Sequence, residues 1–159
     1  MRRDIVIGLI ILAAVIGLIL WFRKSSLTKK VVPTPTPSAE EKIERTFNLT
    51  IPDNLERADL RDVAGKKGTG LATRSYENGK FTFTVLANLP DLTSGGFYQV
   101  WLIKDGTNLS LGKMRIAKGG YLLEFTSNKD YLDYKGVLVT EEKVFDSKVE
   151  NRTLEGSFQ

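Results

Sequence analysis

Neither histidine nor cysteine occurs in the 159 residues, so any chemistry must come from carboxylates, hydroxyls, lysines and aromatic rings. Their absence excludes zinc sites of the usual ligand types, Cys–His and Ser–His nucleophile pairs, haem held on histidine, and thiol redox chemistry. Disulfides are excluded too, so an exported domain must hold together by packing alone. Asp59 with Asp62, or Asp130 with Asp133, lie close enough in sequence to share calcium. Neither pair stands in a D-x-D-x-D-G pattern, and solvated surface carboxylates are the expectation. Gly65-Lys66-Lys67-Gly68-Thr69-Gly70 has the glycines of a phosphate loop without the G-K-[ST] ending or a following helix, and reads as a turn. Ser110 and Lys113 are spaced like a hydroxyl and its base, yet any surface offers such neighbours. No pair of acids is singled out for hydrolysis by spacing. No catalytic, cofactor-binding or metal-ligating residue is therefore assigned, and an enzyme is not expected.

Two aromatics stand out, Tyr98 and Trp101, and large rings of this kind usually fill a β core with their polar atoms bonded to backbone. Tyr131 and Tyr134 are placed where an exposed rim could stack on sugars, which keeps a glycan-binding module open as an alternative. Asn48, Asn108 and Asn151 each begin an N-x-[ST] triplet, the N-glycosylation pattern.

The elements that must carry these side chains are strands. Phe47, Leu49 and Ile51 alternate with polar residues, predicting a first strand ended by Pro52-Asp53. Residues 54–67 read as loop. Leu71–Tyr76 and Lys80–Leu89 flank Asn78-Gly79, the signature of a two-residue hairpin, with Phe81, Phe83, Val85, Ala87 and Leu89 on one face. Phe97–Ile103 is apolar on both faces and reads as a central strand, followed by a tight Asp105-Gly106 turn. Apolar parity shifts across Gly112-Lys113, as a β-bulge would cause. Gly119-Gly120 then turns into Tyr121, Leu123 and Phe125, with Gly136–Thr140 and Arg152–Phe158 as further strands. Seven or eight short strands with turn signals between them argue for an antiparallel sandwich or barrel; the expected fold is all-β, an antiparallel β-sandwich of seven to eight short strands, one domain over residues 43–159. From Ile43 onward about 117 residues suffice to bury about two thirds of the unfolded surface.

A different signal precedes it. After a tail of residues 1–4, Ile5 to Phe22 is unbroken apolar sequence, a helix of about 27 Å that matches a bilayer's hydrocarbon thickness. The run is too long for a signal-peptide core and ends in Trp21-Phe22-Arg23-Lys24 with no small-x-small site, so an uncleaved transmembrane anchor is expected. Residues 23–42 form a basic, then proline–threonine linker, whose alternating prolines favour an extended stalk. Lysines and arginines near the helix ends favour a cytoplasmic C-terminal part. The basic tail and exported-looking linker favour the reverse, and outward display is the expectation. Six of the 23 basic residues lie in the first 37, leaving 17 basic against 18 acidic afterwards. The positive charge is thus beside the helix, where it meets lipid headgroups, and nucleic-acid binding is not expected.

Leu89-Pro90, Tyr98-Gln99-Val100-Trp101-Leu102-Ile103, Asp105-Gly106, Leu111-Gly112 and Val137-Leu138-Val139-Thr140-Glu141 together resemble the C-terminal extracytoplasmic domain of anti-sigma-K factors, the RskA family. The resemblance covers about Gly65 to Phe158. It implies an outer β domain on one membrane-crossing helix, with a cytoplasmic N-terminal segment that captures a sigma factor. Only Met1 to Asp4 precede the apolar run, so a sigma factor is not expected to bind directly. Glu142 to Lys148 replaces the family's Gly- and Pro-rich stretch. The expectation is a cell-membrane protein, N-terminus cytoplasmic, whose β domain senses or contacts an envelope protein.

Overall fold

Ser38 starts the first element: its side-chain oxygen accepts from the Glu41 amide at 3.1 Å, and Glu40 and Glu41 place negative charge in the first turn. Helix α1, Ala39–Phe47, ends where Asn48 takes the left-handed conformation (φ 53°) and its amide closes onto the Glu44 carbonyl. The computed structural model describes residues 37–93 and 95–159. The expected membrane helix over 5–22 lies outside the described residues; among those described, no helix is long and apolar enough to cross a membrane.

Nine strands follow: β1 Glu56–Asp62, β2 Thr69–Glu77, β3 Lys80–Asn88, β4 Phe97–Lys104, β5 Thr107–Lys113, β6 Arg115–Ala117, β7 Gly120–Ser127, β8 Gly136–Glu142 and β9 Asn151–Ser157. All neighbours pair antiparallel in one sheet ordered β5-β4-β8-β9-β1-β2-β3-β7-β6. The sheet curls until its ends approach. The Met114 amide donates to the Tyr98 carbonyl at 2.8 Å, and a Cβ on Gly112 would lie 3.7 Å from Leu123 of β7. Leu60, Ala72, Phe83, Val85, Val100 and Val139 meet inside. The architecture is thus a nearly closed barrel around one core, which corrects the expected two-layer sandwich. Alternating strands are needed equally by both forms; the distinction lies in the long-range pairs β8–β9–β1, which seal the wall.

Several boundaries were legible. Asn78 and Gly79 take positive φ (52° and 74°) and join β2 to β3 with Tyr76 opposite Phe81. The bulge falls where Ser110 and Gly112 face Trp101 and Val100, leaving Leu111 as the extra residue. Two expectations fail. Phe47, Leu49 and Ile51 form no strand, because Phe47 ends α1 and joins Ile43, Ile51, Leu71 and Leu86 in a second cluster on the barrel's outside. Residues 56–62, read as loop, are β1: Ala58 and Leu60 point inward while Asp59 and Arg61 are outside, too short an apolar pattern to announce itself.

Candidate functional site

The barrel has two unlike ends. At the near end, where α1 begins, Glu40 pairs with Arg57 at 2.9 Å. Arg57 also donates to the Ile51 and Pro52 carbonyls at 3.2 and 2.9 Å. Beside it the fully buried Arg74 is held two-pronged by Glu56, at 2.9 and 2.8 Å, and donates to the Tyr134 carbonyl. Its guanidinium lies 3.9 Å from the centre of the Phe158 ring. The Arg74 hydrogen bond holds the Glu56 carboxyl below its ordinary range. The near end is thereby plugged by ion pairs and rings. Tyr131 and Tyr134 belong to this plug: their rings pack edge-on at 5.8 Å, and Tyr131 meets Phe81 at 5.4 Å. Both rings are half-buried and pack against the main core.

The chemistry-bearing candidates disperse. Asp62 turns into the 63–68 loop, losing solvation but accepting the amides of Ala64 and Lys67, which hold its carboxyl below the usual range. That glycine-rich turn thus holds a carboxylate from its own chain on the Lys67 amide. Asp59 lies outside the barrel wall, away from Asp62. Asp130 caps the Leu132 amide at 2.8 Å, whereas Asp133 pairs with Lys104, whose hydrogen bond lowers its carboxyl. Ser110 accepts from Gln99 at 2.9 Å, and Lys113 instead sits 3.7 Å from the Phe97 ring centre. Trp101 is fully buried on the outer face of β4 and donates to Thr140 at 2.8 Å. Tyr98 points inward, donates to the Pro90 carbonyl at 2.9 Å, and meets Tyr121 edge-on at 4.7 Å. Burial pushes the Tyr98 hydroxyl's pKa well above its ordinary value. Both aromatics are therefore packing residues.

The far end was missed by sequence reasoning. It gathers the turns at 63–68, 89–96, 114 and 118–119, and 143–150. Four side chains there are the most exposed large apolar groups of the described residues: Ile116 at 77 %, Val144 at 59 %, Phe145 at 56 % and Val63 at 50 %. Phe145 packs on Phe97 at 6.2 Å, and Lys113 lies over both rings. A groove of about 410 Å³ opens beside them, between Asp91, Leu92, Phe97, Met114, Ile116 and Tyr121. A larger groove of about 600 Å³ runs along β1 and β9, lined by Arg57, which is committed to Glu40 and backbone, and by the exposed Arg61, with Asp59 and Glu155. The signal available in sequence was Val144-Phe145 inside an otherwise charged loop, an apolar pair with no alternation to bury it.

The site and fold together define a small, nearly closed antiparallel β barrel with its near end plugged and exposed apolar side chains at its far end. The family model for the C-terminal part of anti-sigma-K factor RskA matches residues 8–151, and the chain belongs to that family. The match starts inside the apolar run, well before Gly65 where the sequence resemblance began, and stops short of Phe158. No curated protein and no solved structure matches the chain. The family is a regulatory one.

Proposed function

We propose that this chain is a single-pass membrane protein that holds a non-catalytic β domain outside the cytoplasm, where the domain contacts a protein of the cell envelope in a regulatory pathway related to anti-sigma signalling. The observation that carries the reading is the family match, which runs from within the apolar segment through the barrel. The proline stalk and the juxtamembrane basic residues support it, because they place lipid-facing charge before the barrel rather than on it. The N-terminus lies in the cytoplasm and the apolar run is the lipid contact. Sigma-factor capture is not assigned to the barrel, and its slightly acidic balance offers no nucleic-acid face. Non-catalytic action is supported by Ser110 and Lys113 engaging different partners, the Gln99 amide and the Phe97 ring.

Crosslinking the full-length chain in intact cells, followed by purification from membranes, tests the reading. One envelope protein should return repeatedly and disappear when residues 37–159 are exchanged for an unrelated β domain. The same set of proteins from both chains would overturn it.

A further inference from the structure

The lining of the 410 Å³ groove at the far end holds a single charged residue, Asp91. Leu92, Met114 and Ile116 give it hydrocarbon and thioether walls, and Phe97, Tyr98 and Tyr121 give it rings. The ring hydroxyls are engaged: Tyr98 donates to the Pro90 carbonyl at 2.9 Å, and Tyr121 to Asp91 Oδ1 at 3.2 Å. Burial, then the contact with Asp91, raises the Tyr121 hydroxyl above its ordinary value, so it stays a neutral donor. One neutral hydrogen bond leaves the Asp91 charge uncompensated. The residue is exposed, and among the described residues no lysine or arginine pairs with it. Lys113 is held instead over Phe97 and Phe145, at 3.7 and 5.1 Å from their ring centres. On the surface around the groove, exposed Lys143 and Lys148 are matched by exposed Asp146 and Glu150, so any selection by charge lies inside it.

Hydrocarbon walls, aromatic rings and one unpaired carboxylate together fit a group with an apolar stem and a cationic head. An anionic head would be repelled by Asp91, and a neutral one would leave the charge unmet. We propose that the groove receives a lysine or arginine side chain of a partner protein. Its methylenes lie against Met114 and Ile116, and its head meets Asp91 beside the Tyr121 ring. The inference names the partner chemistry of the protein-interaction reading and rests on it.

Site-specific photocrosslinking in the full-length chain, in intact cells, separates the two. A benzophenone amino acid replaces Ile116 at the groove, or Lys80 in the β2–β3 hairpin as a control. Protein adducts from Ile116 are expected, mapping by mass spectrometry beside a lysine or arginine of the partner. Asp91→Asn keeps the size of the side chain and an acceptor for Tyr121, and should lower the yield about tenfold. Asp91→Glu keeps the charge and should hold most of the yield. A loss from Asp91→Glu equal to that from Asp91→Asn would show that shape decides, not charge, and would overturn the proposal. So would a yield that Asp91→Asn leaves unchanged. Lys113→Gln should not lower the yield; a loss matching that of Asp91→Asn would move selection from the groove to its rim. Adducts from Lys80 alone sink the groove and leave the interaction reading standing. Adducts from neither position sink both, and Ile116 adducts to lipid contradict a protein side chain as the occupant.

Discussion

Arg74 lies at 1 % exposure among Phe83, Phe158 and the β7–β8 connection, yet every face of its guanidinium is met. Glu56 is two-pronged on one side, the Tyr134 carbonyl accepts on another, and the Phe158 ring covers the plane. Removing one member of such a buried pair typically costs about 3 kcal/mol, so Arg74→Met should lower the urea midpoint of the domain sharply. A midpoint unchanged by R74M would mean the plug is dispensable. Because Glu56 is held below its ordinary value of 4.5, its contribution is present in full above that value. It fades as pH falls through the lower folded-state value. Between neutral pH and about pH 3, Glu56→Gln should therefore lose less stability than the parent; equal losses would contradict the pairing. None of this was legible beforehand, since an arginine in an alternating strand reads as an outward residue until its partner, 18 positions away, is known. The packing roles of Tyr98 and Trp101 were legible, because size and strand context alone argued for the core.

Helix α1 illustrates a competition between two periods in one stretch. Phe47, Leu49 and Ile51 fit a period of two, but Ile43, Phe47 and Ile51 also fit a spacing of four. The cap decides between them: the Ser38 hydroxyl accepts the Glu41 amide and starts the helix, a signal that the reading by alternation did not use. Ser38→Ala should cost about 1 kcal/mol, and Ile43→Ala about 2–4 kcal/mol because Ile43 is fully buried against Leu71 and Leu86. Circular dichroism of both variants during urea unfolding checks this, and a larger loss from Ser38→Ala would reverse the argument. The closing strands show the other limit of sequence. At Gly156 of β9 a Cβ would stand 2.3 Å from the Asp59 carbonyl oxygen of β1. Gly156→Val should thus destabilise by about 2 kcal/mol or more by wedging the wall open. Near-neutral stability of G156V would show that β1 and β9 do not meet so closely. The glycine was visible as a residue, but its reason is a contact nearly a hundred residues distant.

At the scale of the whole molecule, the strands and the hairpins were readable from alternation and turn residues, and so was the family, from the Tyr98–Ile103 core. Closure into a barrel was not, nor was the far-end surface, since both depend on which distant segments become neighbours. The account as a whole depends on the barrel being displayed beyond the membrane by the apolar segment. The absence of cysteine makes that directly measurable, because a single Lys80→Cys substitution in the exposed β2–β3 hairpin supplies the only thiol in the chain. Intact cells producing the full-length variant are treated with a membrane-impermeant maleimide, then compared with lysed cells. The account predicts equal labelling with and without lysis; labelling that appears only after lysis would place the barrel inside the cell and contradict it.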